Sequence, residues 1–157
     1  MAESAVIFQE SDLHLRGRVV LDAARTGEAR LRDGDGLSLL VIPEHRFRSA
    51  MSIVQATANL MSVEQMLDTA PEQWSVRDYG DWTWLRVFDS EDLTEFVHEM
   101  RTALLVAARE GSDKPVAETL ERWQLTAQQL ADPVRRSILL GVPPLSEEDF
   151  VEVARPE

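Results

Sequence analysis

Apolar positions change period several times along this chain, and each change marks an element. Val6-Ile7-Phe8 is a short apolar run, long enough for a strand of a few residues. Leu15, Val19, Val20 and Ala23 then recur as one buried face of a helix would. Ser11 stands where its hydroxyl can cap that helix, and Gly27 where it can end it in a left-handed conformation. Residues 28–33 alternate polar and apolar, the mark of a half-exposed strand. Gly34-Asp35-Gly36 supplies the positive φ that a tight hairpin turn needs. Leu37 to Ile42 reads as a near-continuous apolar strand, and Pro43 suits the first turn of a helix. Phe47, Met51, Val54, Ala58 and Met61 continue at helical period. Ser62 with Gln65 three residues on has the form of a capping box for a further helix.

Beyond Ala70 the pattern is helical only. Ala70 to Tyr79 has Pro71 and little periodicity, and reads as a linker. Asp81-Trp82-Thr83-Trp84-Leu85 forms an aromatic anchor whose two tryptophans share one side if the backbone is extended. Ser90 stands as a cap for a helix carrying Leu93, Phe96, Val97, Met100, Leu104 and Ala107 inward, with Gly111 ending it. Pro115 opens another, carrying Val116, Leu120, Trp123 and Ala127, and Asp132-Pro133 breaks it. Val134 to Leu140 adds a turn or two, Gly141-Val142-Pro143-Pro144 stops it, and residues 145–157 alternate acidic and apolar. The expected fold is α+β: a β-α-β-β-α domain over residues 1–69, a linker over 70–80, and an all-helical region over 81–157. Three short strands make a thin core, of a kind that dimerisation completes.

Charge sharpens that division. The net charge is −12, but residues 1–61 hold 7 Arg/Lys against 8 Asp/Glu, while residues 62–157 hold 9 against 20. An acidic chain repels nucleic acid, so DNA binding needs a local basic face, and only the front half has the charges for one. The back half suits a basic protein partner. Cysteine is absent, which excludes disulfides, thiolate metal sites and cysteine nucleophiles, and fits a cytoplasmic protein. Met1 to Gln9 lacks the basic n-region and apolar run of a signal peptide, and no stretch approaches the roughly 18 apolar residues of a membrane helix.

Catalytic chemistry finds little support. His14, His45 and His98 match no metal spacing, and no metal or other cofactor is expected. HExxH, GxSxG and Walker patterns are missing, so an enzyme is not expected. Glu91-Asp92 and Glu147-Glu148 fit helix starts, where carboxylates complement the macrodipole. The basic residues are more informative: Arg16 and Arg18 fall in the first helix beside His14, and Arg30 and Arg32 alternate onto one strand face.

Taken in order, these segments resemble the Phd/YefM (prevent-host-death) antitoxin family. The likeness runs through Phe8-Gln9-Glu10-Ser11, through Val19-Val20-Leu21-Asp22-Ala23-Ala24-Arg25-Thr26-Gly27, and through Ala29 to Val41. The back half resembles the C-terminal extension of such antitoxins from high-GC bacteria. That likeness rests on Trp82-Thr83-Trp84-Leu85-Arg86, Ser90-Glu91-Asp92, Leu120-Glu121-Arg122-Trp123-Gln124-Leu125-Thr126-Ala127 and Ala131-Asp132-Pro133. Where relatives often have a Ser-Arg-Asn-type entry to the first helix, this chain has Leu13-His14-Leu15.

The resemblance implies a dimeric front domain that binds operator DNA and represses its own operon. Carried onto this chain, the DNA contacts would be Arg16, Arg18, Arg30 and Arg32, with Ser11 and His14 as lesser candidates. It also implies a back region that neutralises a cognate protein toxin, small and basic, with Trp82, Trp84, Phe96 and Trp123 as aromatic anchors. The alternatives are a stand-alone transcriptional regulator of the same fold and a protein-binding adaptor without DNA binding.

Overall fold

The computed structural model describes residues 7–131; the breaks and turns expected from Asp132 onward, and Val6 of the first strand, lie outside them. The fold is α+β, with four α-helices and one small sheet among the described residues. The elements are β1 (Ile7–Gln9), α1 (Glu10–Thr26), β2 (Ala29–Arg32), β3 (Ser38–Val41), α2 (Glu44–Leu67), α3 (Ser90–Glu110) and α4 (Lys114–Ala131), with three 3-10 turns at Pro71–Gln73, Val76–Tyr79 and Thr83–Val87. The chain separates into two compact units between Ile53 and Val54, within α2.

In the front unit the sheet order is β1-β2-β3. β1 pairs parallel to β2, Phe8 opposite Leu31, and β2 pairs antiparallel to β3, Leu31 opposite Leu39. The alternation read from residues 28–33 is real: Ala29 and Leu31 are buried and Arg30 and Arg32 exposed. The core is Phe8, Val20, Ala24, Ala29 and Leu31, with Ala23 and Val41 packed partly against it. The helical face expected on α1 is only half used. Val20 is sealed, but Leu15 and Val19 face solvent. A single helix over three short strands has room for little more, and β3 lies mostly exposed.

The ends of α1 differ from expectation too. Ser11 is the second residue of the helix rather than its cap; Gln9 holds the cap position in extended backbone, and its N–H donates to Asp12 Oδ2 at 2.9 Å. Gly27 ends the helix by donating its N–H to Ala23 O at 3.0 Å, in extended rather than left-handed backbone. Midway, Arg16 leaves helical geometry just before Gly17 and kinks α1. The hairpin is held by Asp33, whose carboxylate accepts from Asp35 N (3.0 Å) and Leu37 N (2.8 Å), with Gly36 at φ 85°.

In the back unit, α2 buries Ala56, Asn59, Leu60, Val63 and Met66. The stripe read at helical period, Phe47-Met51-Val54-Ala58-Met61, is exposed along its length. Ser62 begins no new helix; its hydroxyl donates to Ala58 O one turn back, and α2 runs through it. Where residues 70–80 lack periodicity, two 3-10 turns form and end on buried Tyr79. Gly80 follows at φ 56°, and a Cβ there would lie 2.5 Å from the Asn59 side-chain oxygen. Asn59 is buried and satisfied: its amide donates to Asp81 Oδ2 at 3.2 Å and its oxygen accepts from Asp81 N at 3.3 Å. Asp89, not Ser90, caps α3, accepting from Glu91 N and Asp92 N. Gly111 ends α3, as expected, and does so in the left-handed conformation. Pro115 sits in the first turn of α4.

Candidate functional site

Two surfaces carry the residues of interest, one on each unit. On the front unit, α1 covers the sheet face made by Phe8, Ala29 and Leu31. Arg30 and Arg32 therefore project from the other face, in cross-strand rows with Ile7 and Leu40 and with Gln9 and Ser38. Arg16 and Arg18 stand on α1. The four arginines that lie close in sequence thus belong to two surfaces of the unit, and the sheet separates them.

Their electrostatic situations also differ. Arg16 bonds Asp12 Oδ1 through Nε (3.2 Å) and Nη2 (2.8 Å). Arg30 lies 2.9 Å from Glu28. Arg18 reaches Asp22 only at 4.0 Å and is 94% exposed. Arg32 is exposed and has no ion pair among the described residues. Pairs open to solvent on the arginine side, such as Arg16–Asp12, are weak, so a phosphate can displace the carboxylate. Ser11 and His14 are exposed on the first turns of α1. Asp12 is held below the ordinary carboxylate value by the Gln9 N–H and then by Arg16. Described residues 7–53 hold 7 Arg/Lys and 7 Asp/Glu, a net charge of zero.

On the back unit, Phe96 is the hub of an aromatic cluster. Trp82 (5.3 Å), Trp123 (5.5 Å) and Trp84 (5.9 Å) each meet its ring edge to face, and Phe88 bridges Trp84 and Trp123. This geometry corrects part of the anchor assignment. Phe96 is fully buried and Trp82 nearly so, so both hold the unit together and offer no surface to a partner. Trp84 and Trp123 stay half-buried. Trp123 Nε1 donates to Glu99 Oε2 at 2.9 Å, and Arg122 donates to the same oxygen at 3.1 Å. The clasp fixes the indole at the edge of the α3–α4 groove. Sequence reasoning missed Glu99, although its place one turn beyond Phe96 on a helix was visible. Burial, and then Asp78, raises the Tyr79 phenol above its ordinary pKa.

Around this cluster the surface is acidic: described residues 54–131 hold 6 Arg/Lys against 14 Asp/Glu. His45 and His98 are exposed, and no three metal-ligating side chains gather among the described residues. No described helix is long and apolar enough to cross a membrane.

No family model, curated protein or solved structure matches this chain.

Proposed function

We propose that this chain is the antitoxin of a type II toxin–antitoxin pair, cytoplasmic and dimeric, with an operator-binding front unit of the Phd/YefM kind and a toxin-neutralising back unit. The observation that carries this reading is the partition of charge between two folded units. The front unit is neutral and displays Arg18 and Arg32 to solvent; the back unit holds the net negative charge around half-exposed Trp84 and Trp123. A neutral unit with exposed guanidinium groups can approach a polyanion, and an acidic one with indole edges can steer and anchor a basic protein.

In this reading Arg18 and Arg32 make the first phosphate contacts, and Arg16 and Arg30 join by exchanging Asp12 and Glu28 for phosphate oxygens. In the dimer the arginine surfaces are doubled and spaced for a palindromic operator. On the back unit Trp84 and Trp123 lie against the toxin while the acidic helices cover its basic surface.

Two experiments test it. Co-expression of the chain with a neighbouring small reading frame should give a stable complex, weighed by light scattering, and growth arrest when the neighbour is expressed alone. Absence of both would remove the antitoxin reading. Titration of the upstream DNA should weaken on Arg18→Ala with Arg32→Ala and lose salt dependence. Because Arg16 and Arg30 are already paired within the chain, the specific alternative is an adaptor that binds protein only; DNA affinity unchanged by the double substitution would favour it.

A further inference from the structure

The outward face of α2 has no occupant among the described residues. Phe47, Met51, Val54, Ala58 and Met61 follow one another at steps of four, three, four and three along a single helix. That spacing keeps all five on one seam and is the alternation of core positions in a two-helix coiled coil. The large side chains on it are half or more exposed: Phe47 57%, Met51 50%, Val54 60% and Met61 57%.

A second observation says what covers it. Residues 49–63 contain no charged side chain at all, in a chain that is 28% charged. Burial explains only one side of that run, the side with Ala56, Asn59, Leu60 and Val63. The exposed side is equally uncharged. A basic partner would call for carboxylates there, and solvent would accept any charge. What a neutral strip permits is the approach of another equally acidic molecule. We infer that α2 pairs with α2 of a second copy of this chain, seam against seam, and that this contact makes the homodimer.

The energetics favour it. Two heptads of isolated helix would be marginal in water, because association would have to order the helix as well. Here the second half of α2, from Ala56 onward, is already held in shape by its buried face, so association has to stabilise at most the first half of the helix. The seam is self-complementary under a two-fold axis, as a closed dimer requires. Two chains of net charge −12 meet along the segment where neither carries charge.

The inference rests on the dimer of that reading but needs neither DNA nor toxin: a dimer that survives the substitutions below would refute the seam and leave the functional reading standing, whereas a monomer would remove the seam and the doubled operator surface together. The test uses the full chain. Sedimentation equilibrium should give twice the 17.7 kDa of one chain. Met51→Glu with Val54→Glu should raise the dimer dissociation constant on the order of 100-fold or more, since each dimer would bury unpaired like charges. Helicity and the thermal transition of the back unit should be retained, because both positions are exposed in the single chain. The absence of cysteine allows a second readout: oxidised Val54→Cys or Ala58→Cys should give a disulfide-linked dimer far faster than Ser52→Cys, one step off the seam. A wild-type monomer, a double variant that still sediments as a dimer, or equal cross-linking at Ser52 would overturn the inference; a monomer would leave the face to a different protein.

Discussion

The two units use apolar residues in opposite ways. Among the described residues the front unit buries five apolar side chains and leaves ten large ones exposed, whereas the back unit buries sixteen and exposes five. Both began with clear hydrophobic periodicity. The difference is what each has to pack against. In the back unit, α3, α4 and the 3-10 turn at Thr83–Val87 gather around one aromatic hub, so a residue patterned inward finds neighbours. In the front unit, one kinked helix over a three-stranded sheet seals Val20 and leaves Leu15, Val19 and Leu39 in water. Apolar residues exposed in such number leave the front unit with surface that a partner can cover.

The sharpest way to break that comparison is to remove the hub. Phe96→Ala should cost about 4 kcal/mol, because three edge contacts disappear and a sealed cavity opens. All four tryptophans and the one tyrosine lie in the back unit, so their fluorescence and near-ultraviolet dichroism report that unit alone. Both signals should collapse in the variant. The converse experiment is Phe8→Ala, which should lower far-ultraviolet ellipticity while leaving the tryptophan signals intact. In the wild type, denaturant should move the far-ultraviolet signal before the fluorescence. Coincident transitions would mean that the front unit is not the weaker of the two.

Next in size is Gly80→Ala, at about 2 kcal/mol or more. Positive φ already disfavours a side chain there, and the new methyl would meet the Asn59 oxygen that anchors Asp81 N. Loss of that bond would leave a buried amide half-satisfied. The fluorescence transition should shift to lower denaturant while the front unit's share of the ellipticity stays put. Smaller still is Leu15→Ser, at 79% exposure. In a single chain its effect should lie within about 0.5 kcal/mol. A larger loss that grows with protein concentration would show that Leu15 is covered in an assembly.

These contrasts explain what was legible in the sequence. Local patterns were: the strand alternation at Arg30 and Arg32, the hairpin at Gly34-Asp35-Gly36, the helix end at Gly111, and the inward face of α3. Each is decided by residues within a few positions of one another. What failed depends on distant partners. The seam of α2 carries as good a helical period as its buried face, and only tertiary contact chooses between them. The same holds for Trp82, and for the anchor role given to Phe96 despite its place on the inward face of α3: aromatic residues suit a core and an interface equally well, and the packing of three elements made both core. Caps slipped by one or two residues because Gln9 and Asp89 are competent caps beside Ser11 and Ser90. Neighbours in sequence are not neighbours in space either, so Arg16 and Arg18 parted from Arg30 and Arg32 across the sheet.

The smallest expected effect tests the start of α1, beside the candidate DNA contacts. Asp12 accepts from the Gln9 N–H and from Arg16, and both hold its carboxyl below the ordinary value. A carboxylate with a depressed folded-state pKa adds stability that is fully present above its unfolded pKa. That stability is lost as the pH falls through the folded value. The first turn of α1 should therefore fray in acid, read as faster hydrogen exchange at the Gln9 amide than a neighbour without a carboxylate partner would show. Asp12→Asn should remove the pH dependence and release Arg16. If Arg16 takes a phosphate when its own carboxylate is absent, the Asn variant should bind DNA at least as tightly as wild type. Weaker binding would mean that Asp12 acts by holding the helix start in shape, and that Arg16 is a structural residue of α1.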